Sequence, residues 1–142
     1  MSAVVLVADD NHEFLRVVRR LLTERATPFD VRTVETGERA IAFLKRRAPF
    51  EAAPVPSIVV LDFRLPDMRA TSILRQMRAS PELMRLPVLV LSQAGWAEDA
   101  AAAHEAGATD FRVKPSRVQD LLRVIEEFWT SHGDRDDPAD RG

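Results

Sequence analysis

The sequence predicts an α/β fold in which a doubly wound parallel sheet of five strands is covered by five helices. Short β-branched runs alternate with amphipathic stretches along the chain, which is typical of a parallel sheet with helices on both faces. With 142 residues, of which 46% are apolar, the chain can build one core without metal or crosslinks. We predict one domain over residues 1–131 and a disordered tail over residues 132–142, where Asp, Arg and Gly dominate.

The five predicted strands divide into three central strands and two edge strands. Continuous apolar runs at residues 3–7, 58–61 and 88–91 predict strands that are buried on both faces. The runs at residues 31–34 and 109–113 mix polar and apolar side chains, so we expect them at the two edges of the sheet.

The helices are predicted from apolar residues at helical spacing. The first helix carries its apolar stripe at Phe14, Val17, Val18, Leu21 and Leu22. The other four are predicted over residues 38–47, 69–79, 96–106 and from Ser116 to about residue 130. Asn11 and Ser116 are the expected N-caps of the first and fifth helices, and Gly107 the expected C-terminal cap of the fourth.

Charge and composition exclude several classes of function. The 22 acidic and 20 basic residues leave a formal charge of −2, so no excess of positive charge would attract nucleic acid or anionic lipid. The absence of cysteine excludes disulfides, thiol nucleophiles and zinc–thiolate sites. The first apolar run is too short for a membrane span or a signal peptide, so we expect a cytoplasmic protein.

Polar residues follow four of the predicted strands. Asp9 and Asp10 follow the first strand, Asp62 the third, Ser92 the fourth and Lys114 the fifth. In a doubly wound sheet, ligands bind beyond the carboxyl ends of the strands, where the strand order reverses. We therefore expect these side chains to converge on one site.

The chemistry of this predicted site follows from its three carboxylates. They repel one another, and a bound cation resolves that repulsion. Oxygen ligands favour a hard ion, and Mg²⁺ is typically held by one or two carboxylates, waters and phosphate oxygens. Asp62 is then the expected nucleophile, which would attack phosphorus and form an aspartyl phosphate. The ion and Lys114 would offset the charge of the phosphoryl oxygens, and Ser92 would donate a hydrogen bond to one of them.

Four motifs, in this order and at this spacing, make the chain resemble the receiver domain of two-component response regulators. They are VADDN with Asp9 and Asp10, VVLDFRLPDM with Asp62 and Pro66, VLVLSQA with Ser92, and GATDFRVKP with Phe111, Lys114 and Pro115. The resemblance covers residues 3 to about 131. It implies a flavodoxin-like sheet with strand order 2-1-3-4-5.

The resemblance also implies the metal ligands and the cation of the site. Asp10 and Asp62 would bind Mg²⁺ directly, together with the backbone carbonyl of Arg64, and Asp9 would act through water. Lys114 would bridge to the phosphoryl group.

Two further residues would act as a switch. Ser92 would move toward the acyl phosphate, and Phe111 would turn inward, which would change the surface formed by the fourth helix, the fifth strand and the fifth helix. The family pattern also implies a cis peptide bond before Pro115.

The resemblance implies that a sensor histidine kinase donates the phosphoryl group. It also implies that a downstream protein or a phosphorelay protein receives the signal. Such a protein is not an enzyme beyond its own phosphoryl transfer and dephosphorylation. The proline-bearing loop over residues 48–56 and the aromatic end of the last helix resemble small receivers that accompany phytochrome-type kinases. An exposed apolar patch of Trp96, Val124, Phe128 and Trp129 would suit a homodimer.

Several positions depart from the family pattern. Arg69 and Ala70 replace a small or acidic residue and a glycine, and Gln93 replaces a small residue beside the site. Arg64 adds a long cation at the rim, and we expect Arg64 and Gln93 to slow or redirect access by water or phosphodonor.

Two other functions stay open. The departures permit a receiver-shaped interaction module that works without phosphorylation, which binding of Mg²⁺ with beryllofluoride would distinguish. A phosphatase with an aspartate nucleophile is disfavoured, because it needs a second carboxylate two residues after Asp62, where this chain has Arg64.

Overall fold

The computed structural model describes residues 3–25, 29–93 and 97–133. Strands and helices alternate in the order β1 (Val4–Ala8), α1 (His12–Thr23), β2 (Asp30–Val34), α2 (Gly37–Leu44), β3 (Ile58–Asp62), α3 (Ala70–Arg78), β4 (Val88–Ser92), α4 (Ala97–Ala106), β5 (Asp110–Val113) and α5 (Val118–His132). Each predicted element is present, with ends that shift by a few residues. No helix within the described ranges has the length and apolarity that a membrane crossing requires.

The sheet confirms the predicted topology. Its five parallel strands lie in the order β2-β1-β3-β4-β5, with β2 and β5 at the edges. The register pairs Ala8 with Leu61, Asp62 with Leu91 and Ser92 with Val113. Because the paired residues are the last or the second-last of their strands, the strands end along one edge of the sheet. The strand order reverses between β1 and β3.

Alternate strand residues point to opposite faces and build two separate cores. In β1, Leu6 and Ala8 pack with α2, α3 and α4, whereas Val5 and Val7 pack with α1 and α5. The sheet is therefore buried on both faces, which explains the continuously apolar sequence of its central strands.

The first helix begins as predicted at Asn11, whose side-chain oxygen accepts a hydrogen bond from the backbone N–H of Phe14 at 3.0 Å. Its buried residues are Leu15, Val18 and Leu22. Leu15 is absent from the predicted stripe, while Phe14 of that stripe is only partly buried, so the helix faces the sheet at a slightly different angle.

Arg78 ties together two connections on the α3 and α4 side of the sheet. Its guanidinium donates to the carbonyls of Leu83, Met84 and Leu86 before β4 and to the carbonyl of Gly107 after α4. Gly107 has φ +112° and ends α4 as predicted, and a Cβ there would lie 2.6 Å from the Cγ of Arg78.

Two local predictions at the start of α5 are wrong. The N-cap of α5 is Arg117, because its extended backbone immediately precedes the first helical residue, and Ser116 therefore lies one residue too early. Among the described residues the cis peptide bond precedes Pro49, and the bond between Lys114 and Pro115 is not cis. The trans form of an X-Pro bond is favoured in general by about 0.5–1 kcal/mol.

The predicted apolar patch on α5 is also wrong. Phe128 is only 4% exposed, since it lies on the helix face turned toward the sheet. Val124 and Trp129 are partly buried against the same core, with Trp129 edge-to-face on Phe29 at 5.7 Å. Trp96 lies outside the described residues, and so do residues 134–142 of the predicted tail. His132, the first residue of that predicted tail, belongs to α5.

Candidate functional site

A polar cleft of about 480 Å³ opens at the carboxyl edge of the sheet. The cleft is lined by the five strand-end residues predicted from the sequence, by two of the family departures and by the N-cap of α1. These residues are Asp9, Asp10, Asp62, Ser92, Lys114, Arg64, Gln93 and Asn11. The aligned strand ends therefore bring together residues that are far apart in the sequence.

Three carboxylates form an acidic cluster within this cleft. Asp9, Asp10 and Asp62 each offer one oxygen, and these oxygens lie within 4.8 Å of one another. Asp9 is buried, Asp62 is partly buried and Asp10 is exposed. A set of oxygen donors that opens to solvent on one side fits a hard divalent cation that retains some of its water.

Lys114 is held inside the cleft by Asp9. Its Nζ donates to Oδ2 of Asp9 at 2.6 Å, and both side chains are almost fully buried. The same ammonium lies 4.0 Å from the ring centroid of Phe14. The other oxygen of Asp9 accepts from the backbone N–H of Asn11 at 2.9 Å, so both oxygens of Asp9 have protein partners.

The environment of Asp62 disfavours its charged form. Burial raises the pKa of Asp62 to about 6, and the carboxylates of Asp9 and Asp10 act in the same direction. Lys114 and the backbone N–H of Arg64 oppose this increase only in part. A cation bound to the cluster would favour the ionised form that a nucleophile requires.

Arg64 reaches from the site to the fourth helix. Its Nη2 lies 3.3 Å and 3.4 Å from the two carboxylate oxygens of Asp99 in α4, and its guanidinium lies 5.4 Å from the ring centroid of Phe63. Asp99 is 8% exposed, although it belongs to a helix that is mostly alanine. From the sequence, Asp99 would be expected to be a solvated acid in the first turn of a helix. Nothing in the sequence therefore indicates that it pairs with Arg64.

The connection from β3 to α3 fixes the backbone beside Asp62. The N–H of Leu65 donates to the carbonyl of Met68 at 3.1 Å, and the N–H of Ala70 donates to the carbonyl of Phe63 at 2.9 Å. Ala70 is buried at the start of α3. The backbones of Arg64 and Arg69 form an isolated antiparallel β-bridge across the turn. The turn accommodates these two departures from the family pattern while it keeps Arg64 at the cleft.

Asp67 in the same connection binds the start of α2, which the sequence analysis did not anticipate. Its two carboxylate oxygens accept from the N–H groups of Gly37 at 2.8 Å and Glu38 at 2.9 Å. Burial alone would raise the pKa of Asp67, but these backbone N–H donors outweigh it and lower the pKa. An aspartate is a common acceptor for the N–H groups at the start of a helix. The sequence does not indicate which helix Asp67 binds, because Gly37 lies 30 residues before it.

Of the two predicted switch residues, Ser92 lines the cleft and Phe111 lies on the neighbouring strand. Ser92 is 3% exposed at the end of β4, and its carbonyl accepts from the N–H of Lys114 at 2.8 Å. Phe111 in β5 is partly buried and meets Phe63 edge-to-face, with ring centroids 6.4 Å apart. Because Phe63 directly follows Asp62, Phe111 is in contact with the strand end that carries the candidate nucleophile.

Comparison with known proteins extends over nearly the whole chain. The family model of the response regulator receiver domain matches residues 5–126. Response regulator Rcp1 of Synechocystis sp. is 28% identical over 129 residues, which are 89% of this chain and 88% of Rcp1.

Two solved structures are similar to this one. The phosphorylated cyanobacterial phytochrome response regulator RcpA has a TM-score of 0.83 at 27% identity, over 92% of this chain and 96% of RcpA. The Mn²⁺-bound form of Rcp1 has a TM-score of 0.79 at 25% identity, over 90% and 92% of the two chains. The similarity therefore includes both the fold and the sequence.

Proposed function

The chain belongs to the response regulator receiver domain family, and we propose that it accepts a phosphoryl group on Asp62 from a histidine kinase. One observation supports this assignment above the others: Asp62 shares a cleft with two further carboxylates within 4.8 Å and with a buried lysine. The phosphorylated form of RcpA supports the same chemistry in a structure of the same shape.

The proposed reaction transfers one phosphoryl group between two side chains. An ionised Asp62 oxygen attacks phosphorus, the P–N bond to the kinase histidine breaks, and an acyl phosphate forms. Lys114, already positioned by Asp9, would neutralise charge on the phosphoryl oxygens, and Ser92 would donate a hydrogen bond to one of them. Attack by water on the acyl phosphate returns the carboxylate and releases inorganic phosphate.

We propose Mg²⁺ as the ion of the acidic cluster. Asp10, Asp62 and the backbone carbonyl of Arg64 would hold it directly, and Asp9 would act through water because its two oxygens already bind Lys114 and Asn11. When bound, the ion supplies positive charge that offsets the negative charge of the transferring group. The Mn²⁺-bound form of Rcp1 supports a divalent ion in a protein of this family.

The proposed output is a change in the surface formed by α4, β5 and α5. Ser92 and Phe111 would carry the change, and the contact between Phe111 and Phe63 supports this route. A homodimer through this surface stays a prediction, and light scattering with and without beryllofluoride tests it. A strict monomer under both conditions would refute it.

We propose a phytochrome-type sensor kinase as the partner, acting in the cytoplasm where a kinase obtains ATP. The similarity to Rcp1 and to the phytochrome response regulator RcpA supports this choice. A downstream protein or a phosphorelay protein would then receive the signal.

Intact-mass measurement tests the phosphorylation. After incubation with Mg²⁺ and acetyl phosphate, the wild type should gain the mass of one phosphoryl group, and Asp62→Asn should gain none. Asp67→Asn is the matched control, since Asp67 lies in the adjacent loop but outside the acidic cluster, and it should be modified like the wild type. An unmodified wild type that also fails to bind beryllofluoride would overturn the proposal in favour of a phosphorylation-independent module.

A further inference from the structure

The two cations of the cleft have different partners. Lys114 is buried and paired with Asp9 inside the site. The Arg64 side chain is 53% exposed, and its guanidinium pairs with Asp99, whose side chain is only 11% exposed. Arg64 can therefore change its position at little cost, whereas Asp99 is enclosed.

Arg64 is linked to two carboxylates, since its backbone N–H lies beside Asp62 and its guanidinium pairs with Asp99. It follows the phosphoacceptor by two residues and lines the cleft, yet its guanidinium binds the first turn of α4. A phosphoryl group on Asp62 would carry close to two negative charges, against one on Asp99, and its oxygens match the donor geometry of a guanidinium. The phosphoryl group would thus compete with Asp99 for Arg64.

We propose that Asp99 is a positioning residue that holds Arg64 away from the phosphoacceptor, and that phosphorylation transfers the guanidinium from Asp99 to the phosphoryl group. This inference rests on the proposed phosphorylation of Asp62. Once Arg64 leaves, the enclosed carboxylate of Asp99 loses its cation, which is unfavourable unless the first turn of α4 moves to expose it. The exchange would therefore transmit the charge of the phosphoryl group directly to α4.

A double-mutant cycle on beryllofluoride affinity tests the exchange. With Mg²⁺ present, Asp99→Asn should bind beryllofluoride about three- to tenfold more tightly than the wild type, because Arg64 no longer has a competing anion. Arg64→Gln should bind more weakly by a similar factor. In the Arg64→Gln background, Asp99→Asn should have no further effect, which separates competition for Arg64 from a merely structural role.

Glu98→Gln is the matched control. Glu98 lies next to Asp99 in the same helical turn but is exposed and has no ion pair with Arg64 in the described part of the chain, so its affinity should equal that of the wild type. Hydrogen exchange adds a second readout: beryllofluoride should speed exchange in the first turn of α4 in the wild type but not in Arg64→Gln.

Each outcome is decisive. A wild type that binds no beryllofluoride would overturn the phosphorylation of Asp62 and the exchange with it. If the wild type binds beryllofluoride, two results would overturn the exchange alone. One is an unchanged affinity in Asp99→Asn, and the other is an equal effect of Asp99→Asn on affinity in the wild-type and Arg64→Gln backgrounds. Since Arg64 is exposed, Arg64→Gln should fold even if Asp99→Asn does not, and unchanged affinity of Arg64→Gln would equally refute the exchange.

Discussion

The carboxyl group of Asp62 is harder to ionise than a solvated aspartate, because burial and the charge of Asp9 raise its pKa to about 6. Below pH 3.8 the group is protonated in both the folded and the unfolded chain, and it has no effect on stability. Above pH 6 it is ionised in both, and the folded state bears the full electrostatic cost. The metal-free protein should thus lose stability as the pH rises through this window.

Asp62→Asn removes that cost. In EDTA at pH 7 the variant should be more stable than the wild type by about 1 kcal/mol, after allowance for screening by solvent. The gain should be several times smaller at pH 4, where Asp62 is protonated in the folded chain and is close to its unfolded-state pKa of 3.8. Urea denaturation at the two pH values measures this, and an equal gain at both would contradict the assigned pKa.

The ion pair between Lys114 and Asp9 is a second feature at the residue scale. Lys114→Met keeps most of the apolar stem but leaves Asp9 buried without its cation, and we expect a loss of about 3 kcal/mol in the free energy of unfolding. Lys45→Met is the control, since Lys45 makes no ion pair within the described ranges. Equal losses for both lysines in urea denaturation would show that the pair does not stabilise the fold.

At the scale of the elements, the β3–α3 connection also completes the start of α2. Asp67 accepts the first two N–H groups of α2, and Thr36 accepts the third, from Arg39 at 3.1 Å. A carboxylate at this position accepts hydrogen bonds from N–H groups that have no acceptor within the helix. Its negative charge also interacts favourably with the positive end of the helix dipole.

Asp67→Ala should therefore destabilise the protein by about 1–2 kcal/mol at pH 7. Because the pKa of Asp67 is lowered in the folded state, its contribution is present at neutral pH and is lost as the pH falls below 4. The difference between wild type and variant in urea denaturation should thus narrow in acid. Glu82→Ala, which removes an exposed acid in the loop before β4, should be nearly neutral at both pH values.

For the whole molecule, the proposed binding of Mg²⁺ at the acidic cluster should add to the stability of the folded state. Saturating Mg²⁺ should raise the melting temperature by several degrees, since binding at 100 times the Kd contributes about 2.7 kcal/mol. Asp10→Asn should lose most of this increase, whereas Glu13→Gln, an exposed acid outside the cluster, should keep it. An unchanged increase in Asp10→Asn would exclude Asp10 as a ligand.

Much of the whole architecture could be predicted from the sequence. The apolar runs of the central strands indicate burial on both faces, and their alternation with amphipathic helical stretches predicts a parallel sheet between two helical layers. The same topology aligns the strand ends, so the convergence of Asp9, Asp62 and Lys114 followed from counting residues after each strand.

The contacts between elements could not be predicted in this way. The pairing of Arg64 with Asp99 joins residues 35 positions apart and depends on how α4 packs against α3 and β5. The burial of Phe128 depends on the angle at which α5 faces the sheet, and a stripe that includes both Phe128 and Trp129 does not specify that angle.

The guanidinium of Arg78 has a consequence for how this sequence can vary. Its acceptors at Leu83, Met84, Leu86 and Gly107 are all main-chain carbonyls, which every amino acid carries. We therefore expect the exposed side chain of Met84 to tolerate substitution, whereas the donor at position 78 should not. In a saturation-mutagenesis library, position 78 should accept arginine almost exclusively, next to a position 84 that accepts nearly any residue.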